Sequence, residues 1–182
     1  MKIRSHSTVL GDLIDGMGGD AQFVAFSEVY TALERGILDG AVTCGPCGAG
    51  LRWFEVSDYL NGPIVSLAVT YITVNKDRWD AIPADLQAIM KYAAKAANQE
   101  MLDEYTARNN QALTELINKH NVKLRKLPDE VLIALRDISE EVMLDFIEGD
   151  EMATRVYNSY VAFKDQVINY HRISEKAYID TR

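Results

Sequence analysis

The sequence predicts an α/β fold, in which strands and helices alternate along the chain and pack around a shared core. Three observations lead to this prediction. Up to residue 43, short apolar segments alternate with helical patterns through tight connections. From Pro83 onward, helical periodicity dominates. Hydrophobic residues make up 48% of the sequence, which is enough for a packed core.

The amino-terminal elements follow from local composition. The segment KIRSHS indicates a strand that runs into a loop, and the glycine-rich stretch before QFVAF indicates a tight turn. A helix is predicted over SEVYTALERG, because Ser27 can cap its start and Glu28 is favourable near its positive end. Gly36 suits a left-handed C-terminal cap. The segment ILDGAVT then predicts a short strand.

The middle of the chain contains one short and one very long helical pattern. GLRWFEVSDYL is interpreted as a helix that ends at Asn61-Gly62-Pro63, and IVSLAVTYITVN has the β-branched and aromatic content of a strand. The pattern after Pro83 predicts a helix of about 50 Å if it is unbroken. We therefore expect this helix to bend or to bridge two lobes.

The last third of the sequence predicts one strand and two further helices. VKLRKL alternates and indicates an edge strand, a helix begins at Pro128 and Asp129, and Gly149 closes it. The next helix carries an apolar stripe, which we interpret as core because such stripes are usually core rather than cofactor sites. Its members are Met152, Val156, Tyr160, Phe163 and Val167. The closing SEKAYIDTR is interpreted as a tail.

Charge and composition exclude several classes of protein. The formal net charge is −8, and an acidic surface repels phosphate backbones, which argues against nucleic acid as the main partner. No apolar run reaches the roughly 18 residues of a membrane span, and no secretory signal is recognisable. The three histidines are scattered without the spacing of zinc ligands, so no metal site is expected.

The sequence Cys-Gly-Pro-Cys at Cys44 to Cys47 raises the hypothesis of a thiol–disulfide oxidoreductase. A strand that ends near Thr43 and a helix that begins near Pro46 would stabilise the first thiolate at a helix N-terminus. The rest of a thioredoxin-like fold is missing, however, because the chain after Pro83 consists mostly of long helices. The favoured interpretation is two small cysteines, buried or disulfide-linked, at a helix start.

Several segments together resemble one family, the solute-binding proteins of tripartite ATP-independent periplasmic (TRAP) transporters, also called the C4-dicarboxylate-binding or DctP family. The segments that carry the resemblance are KIR, FSEVYTALERGILDG, FEVSDYL, VNKDRWDAIPADLQ and the closing ISEKAYIDTR. The resemblance implies a two-lobed α/β receptor, with a long bridging helix, that closes on a small organic acid. It also implies a periplasmic location, delivery to a membrane permease, no enzymatic activity and no cofactor.

The resemblance also implies roles for individual residues. Arg4 matches the ligand arginine of the family, whose planar guanidinium offers two parallel donors to a carboxylate. Phe26 matches an aromatic position that packs on the ligand, although simple core burial is an equal alternative. Thr43 stands where the family often has asparagine, and a hydroxyl has less reach than an amide. His6 and Ser7 follow the arginine and are further candidate contacts.

Family members are substantially longer than this chain, so we expect it to be the C-terminal part of a binding protein, with the N-terminal lobe largely missing. Residues 1–68 would form the first part of the second lobe. Residues 69–108 would be a strand and helix of the first lobe, and residues 109–182 would complete the bridging helix and the second lobe. We expect the apolar edge of the first-lobe segment to be exposed and to promote self-association.

Three hypotheses from different classes follow. The leading one is a receptor part for a small organic acid. The alternatives are a thiol–disulfide enzyme that uses Cys44 and Cys47, and a mainly helical interaction module without a small ligand. Binding of carboxylates would distinguish the first from the other two, because a ligand stabilises the folded state by mass action.

Overall fold

This computed structural model describes residues 1–43, 45–63 and 71–181 of the chain. It has two compact units, Met1–Leu135 and Arg136–Arg182. Strands and helices alternate in the first unit, and the second is helical. The division predicted from the sequence, into residues 1–68, 69–108 and 109–182, stays a prediction.

A three-stranded parallel sheet forms the amino-terminal part of the first unit. Strand β1 lies in the centre, with β2 on one side and β3 on the other. Arg4 lies opposite Gln22 on one side and opposite Ala41 on the other. The three strands are β1 (Lys2–Ser5), β2 (Asp20–Phe23) and β3 (Gly40–Ala41). The strands predicted over KIRSHS and ILDGAVT are therefore confirmed.

The connection from β1 to β2 contains a helix that the sequence did not predict, α1 (Thr8–Gly16), followed by the predicted glycine turn. The Ser7 hydroxyl oxygen caps this helix by accepting a hydrogen bond from the Leu10 N–H at 3.3 Å. The apolar side chain of Ile14 is buried. The turn follows the helix, where Gly18 has a positive φ of 78°.

The helix predicted from Ser27 begins later than expected. Residues Phe26–Glu28 form a 3₁₀ turn, and α2 (Val29–Glu34) follows without a side-chain cap. The role of Gly36 is confirmed, because its φ of 66° is left-handed. Helix α2 packs one face into the main core cluster of the described residues, which consists of Val29, Ala32, Leu38 and Trp53.

The segment predicted as one helix over GLRWFEVSDYL is instead interrupted. Helix α3 (Gly45–Gly50) ends before Arg52, whose φ of 59° is left-handed, and a 3₁₀ turn follows at Trp53–Glu55. Strand β4 (Tyr59–Gly62) then pairs in parallel with β5 (Lys123–Lys126). The predicted strand VKLRKL is therefore confirmed. The strand predicted over IVSLAVTYITVN falls mainly on residues 64–70, outside the described part of the chain.

The predicted long helix is confirmed. A short helix, α4 (Lys76–Asp80), is capped by the Asn75 side chain and precedes Pro83. Helix α5 (Ala84–Asn118) then continues for 35 residues, which corresponds to about 50 Å. Most of its side chains are exposed, and Leu116 is its one buried residue among those described.

The helices of the carboxyl-terminal part also match the predicted positions, but one of them differs in packing. Helix α6 (Asp129–Ile147) ends before Gly149, and α7 (Glu151–Ile173) begins at a cap in which Asp150 accepts a hydrogen bond from the Ala153 N–H at 2.9 Å. The predicted tail forms a further helix, α8 (Glu175–Asp180).

The interpretation of the α7 stripe as core is wrong. Met152, Val156, Tyr160 and Phe163 are exposed, and Val167 is partly exposed. Periodicity identified the apolar face of this helix correctly, but the described residues of the chain do not cover it.

Among the described residues, none of the helices combines the length and the apolar content that crossing a bilayer requires.

Candidate functional site

The candidate site lies at one edge of the three-stranded sheet. Because β1, β2 and β3 are parallel, their carboxyl ends meet at the same edge. Ligands of open α/β sheets bind at such edges. The residues that the resemblance singled out all lie in this region or directly follow it, namely Arg4, His6, Ser7, Phe26 and Thr43.

Arg4 is a buried cation in β1. Its exposed fraction is 7%, and its Nε–H donates to the Val24 carbonyl at 3.2 Å. Among the described residues, no carboxylate forms an ion pair with it. Burial lowers the pKa of the Arg4 guanidinium from its ordinary value. Arginine nevertheless stays protonated in proteins, so the site holds a positive charge.

Phe26 lies beside this charge. The Arg4 guanidinium carbon is 5.6 Å from the centroid of the Phe26 ring, which is within cation–π distance. Phe26 is 46% exposed, so the alternative interpretation of this residue as simple core is wrong. The centroid of the Phe26 ring also lies 5.6 Å from that of the buried Trp53 ring. Contact between Phe26 and a ligand stays a prediction.

The turn after β1 is fixed by serine side chains. The hydroxyl of the buried Ser5 donates to the Ser7 carbonyl at 2.7 Å, and its oxygen accepts from the Ser7 N–H at 3.3 Å. The Ser7 hydroxyl caps α1, so this residue has a structural role whether or not it contacts a ligand. His6 is exposed between the two serines. Sequence reasoning did not identify Ser5.

Thr43 lies two residues beyond β3 and is partly buried. Its position at the carboxyl edge is the one that sequence reasoning expected. The hypothesis of a thiol–disulfide enzyme concerns Cys44 and the Cys47 side chain, which both lie outside the described part of the chain.

A second network holds the turn that carries Trp53. The Tyr30 hydroxyl donates to Glu55 Oε2 at 2.9 Å, and the Arg52 Nε–H donates to Glu55 Oε1 at 2.9 Å. The hydrogen bonds from Arg52 and then from Tyr30 lower the pKa of Glu55 below its ordinary value. The hydrogen bond to Glu55 raises the pKa of Tyr30. Sequence reasoning missed this network because its members come from separate elements.

The same turn is held from another side by an aromatic contact. The Phe54 ring stacks on the His120 ring with centroids 3.8 Å apart. Together with the Tyr30 bond, this stack fixes the turn in which Trp53 lies against Phe26. Phe26 and Trp53 together form an aromatic wall beside Arg4, and several elements of the first unit hold it in place.

The groups at this site have the chemistry to bind an anion. A buried guanidinium with free donor capacity at the carboxyl edge of a parallel sheet favours a carboxylate. Among the described residues, no group of three or more histidine, cysteine, aspartate or glutamate side chains could hold a metal ion.

Comparison with known proteins identifies the family. The model for bacterial extracellular solute-binding proteins, family 7 (DctP), matches residues 1–150. A solute-binding protein of Chromohalobacter salexigens is 30% identical over 102 residues, which cover 55% of this chain and 30% of that protein. The C4-dicarboxylate-binding periplasmic protein DctP of Rhodobacter capsulatus is 32% identical over 93 residues, covering 51% of this chain and 28% of that protein.

Solved structures share the fold over the whole chain. A TRAP periplasmic solute-binding protein from Pseudoalteromonas atlantica, with bound sodium and pyruvate, matches with a TM-score of 0.80 and 26% identity. It covers 100% of this chain, which spans 56% of that one. A TRAP transporter solute-binding protein from Bordetella bronchiseptica, with calcium and picolinate bound, matches with a TM-score of 0.84 and 24% identity, over 100% of this chain and 54% of that one.

These matches confirm the predicted α/β fold class and the predicted resemblance. The relatives are binding proteins of transport systems, and this chain spans about half the length of the two solved structures. The match over residues 1–150 includes the whole of the sheet edge around Arg4 and the long helix α5. The chain therefore belongs to family 7 of the bacterial extracellular solute-binding proteins, the DctP family.

Proposed function

We propose that this chain is part of the extracytoplasmic receptor of a TRAP transporter, which captures a small organic acid and delivers it to the membrane permease. The observation that carries the proposal is Arg4, a buried cation that no carboxylate of the described residues neutralises. Burying a charge is costly unless a partner compensates it. A ligand carboxylate would supply that compensation, and the residual donors of the guanidinium would bind it in a bidentate manner.

The ligand class follows from the same corner of the sheet. Arg4 is the single arginine or lysine among the five candidate residues, so this edge of the sheet accounts for one ligand carboxylate. The exposed part of the Phe26 ring offers an apolar surface beside it. A small monocarboxylic acid with a planar or apolar remainder fits this arrangement. The proteins with bound pyruvate and bound picolinate hold ligands of this kind.

Location and lobe organisation belong to the same proposal. The periplasm is proposed because the named relatives are periplasmic proteins. The sheet and residues up to 68 would form part of one lobe, and residues 69–108 would belong to the other. Residues 109–182 would complete the bridging helix and the second lobe. Helix α5 supports this division, because it runs past residue 108 without interruption, as a bridging helix would.

The test is binding of carboxylates to the 182-residue chain and to its Arg4→Ala variant. Ligand-observed NMR with pyruvate and picolinate is suitable because a cleft with one wall is expected to bind weakly. Removing the guanidinium should reduce affinity by about 100-fold, since truncating one member of a buried charged pair costs about 2–5 kcal/mol. Arg4→Lys should restore only part of the affinity, because an ammonium lacks the planar pair of donors.

Arg35→Ala is the matched control. This arginine is exposed at the end of α2, in the same unit as Arg4 but outside the candidate site, and its loss should leave binding unchanged. Equal binding by the wild-type chain and the Arg4→Ala variant would contradict the proposal. So would an equal loss in the Arg35→Ala variant, because the effect would then be one of general charge.

A further inference from the structure

His120 lies in the turn between α5 and β5, and this turn is held on both sides. The Val122 N–H donates to the Leu116 carbonyl at 3.0 Å, so a free carbonyl of the last turn of α5 is satisfied. Asn121 between them has a left-handed φ of 55°. Leu116 and Val122 are both buried, and β5 then pairs with β4. The backbone of His120 is therefore fixed, although its side chain is exposed.

The 3₁₀ turn at Trp53–Glu55 is held through all three of its side chains. Trp53 packs in the core cluster, and the Phe54 ring stacks on the His120 ring with centroids 3.8 Å apart. Glu55 accepts the hydrogen bonds described above. Arg52, which precedes the turn, has a left-handed φ of 59°. Such a conformation is costly for a residue other than glycine, and it persists only where surrounding contacts hold it.

We propose that His120 is a positioning residue for the candidate site. By stacking on Phe54, it holds the neighbouring Trp53 against Phe26 and so keeps the aromatic wall in place beside Arg4. Successive side chains of a 3₁₀ turn point about 120° apart. The Phe54 ring can therefore be held from the end of α5 while the Trp53 ring stays in the core.

The consequence for binding rests on the proposed function, in which Arg4 binds the carboxylate of the ligand. The carboxylate depends on the guanidinium, whereas the Phe26 ring adds affinity according to the planar surface that the acid presents to it. A displaced aromatic wall should therefore weaken the binding of picolinate, which has an aromatic ring, more than that of pyruvate, which has none. His120 would in this way influence which acid is preferred, because specificity is a difference between affinities.

The first experiment needs no ligand. The sequence contains two tryptophans, so Trp79→Phe leaves Trp53 as the only one. Acrylamide quenching of its fluorescence then measures how accessible this ring is, and Trp53 is 6% exposed in the intact structure. In this background, His120→Ala should increase the quenching, because the turn loses its stack. His120→Phe restores a ring and should return the quenching to its starting value, whereas His120→Gln should not.

The second experiment measures the affinities of picolinate and pyruvate for the 182-residue chain and its His120 variants by ligand-observed NMR. The ratio of the two affinities should fall by roughly two- to ten-fold in His120→Ala, the range that the energy of an aromatic pair allows. His120→Phe should restore the ratio. A general loss of folded protein would lower both affinities equally and leave the ratio unchanged. His171→Ala is the control, because it removes an exposed histidine that lies against Tyr170 in α7.

Unchanged quenching of Trp53 in His120→Ala overturns the proposal. Equal rescue by His120→Gln and His120→Phe also overturns it, because the ring stack would then not be the cause. A constant affinity ratio despite increased quenching has the same consequence, since the position of the wall would not affect the choice of acid. If neither acid binds to the wild-type chain, the proposed function fails, and the quenching of Trp53 alone decides whether His120 positions the wall.

Discussion

Helices α2 and α7 both carry an apolar stripe, but only one of them is covered within the described chain. The α2 residues Val29 and Ala32 are buried against Leu38 and Trp53. The α7 residues Tyr160 and Phe163 remain exposed. Both stripes have helical spacing, so periodicity alone does not distinguish them. The comparison teaches that a periodic apolar face identifies which side of a helix can be buried. Whether that side is buried depends on the tertiary or quaternary structure around the helix.

The two arginines Arg4 and Arg52 show the same contrast for charge. Arg52 is exposed and pairs with Glu55, an arrangement that contributes little to stability in most proteins. Arg4 is buried, and no carboxylate of the described residues pairs with it. A buried cation at a sheet edge costs stability unless a partner compensates it, which is why we propose a binding role for Arg4.

The largest expected effect on the free energy of unfolding distinguishes a buried leucine from an exposed one. Leu38→Ala should lower the free energy of unfolding by about 2–5 kcal/mol, because it empties a packed site in the core cluster. Leu102→Ala on the exposed face of α5 should change it by less than about 0.5 kcal/mol. Urea denaturation of both variants measures the difference. An equal loss at Leu102 would show that the α5 face is covered in solution.

The sequence predicted elements that depend on local information. Helices α5, α6 and α7 have long periodic patterns, and the ends at Gly36 and Gly149 have left-handed glycines that mark them. Helix α1 was missed because glycine is a poor helix former, and its sequence contains Gly11. The structure explains why residue 11 is a glycine, since a Cβ at this position would lie 2.9 Å from the Phe23 ring.

Elements with distant partners were predicted less well. Strand β4 was interpreted as part of a helix because its partner β5 lies far along the chain, beyond the whole of α5. The site shows the same limit. Arg4 was identified from a family resemblance, but the Val24 carbonyl that orients it depends on strand pairing. The aromatic wall beside Arg4 also depends on Trp53, which the fold brings to Phe26.

A smaller effect is expected at Gly19, the glycine that precedes β2. A Cβ added to Gly19 would lie 2.9 Å from the Ile14 carbonyl oxygen and 2.8 Å from its side chain. Gly19→Ala should therefore destabilise the chain by about 1–3 kcal/mol, because the turn after α1 cannot widen without losing its hydrogen bond. Gly40→Ala is the control, since a Cβ there meets nothing within 4 Å. Thermal unfolding that gives equal losses for both variants would contradict this account.

The smallest effect concerns the pH dependence of the Glu55 network. The pKa of Glu55 is lowered, first by the hydrogen bond from Arg52 and then by that from Tyr30. The network therefore contributes stability above the ordinary pKa of a glutamate, and this contribution is lost as the pH falls through the lowered pKa. Since the Arg52–Glu55 ion pair is largely exposed, its contribution to stability is small. The pKa of Tyr30 is raised by its bond to Glu55, so on the alkaline side the contribution is lost as the pH rises through that raised value.

Glu55→Gln tests this network, because the amide cannot ionise but keeps the size of the side chain. Urea midpoints measured across the acid range should fall less steeply with decreasing pH in the variant than in the wild-type chain. Asp58→Asn removes a carboxylate three residues away that lies outside the network, and it should leave the slope unchanged. A wild-type slope in Glu55→Gln would show that the turn carrying Trp53 is held by the core contacts of that ring and by the Phe54–His120 stack, without a measurable contribution from the charged surface.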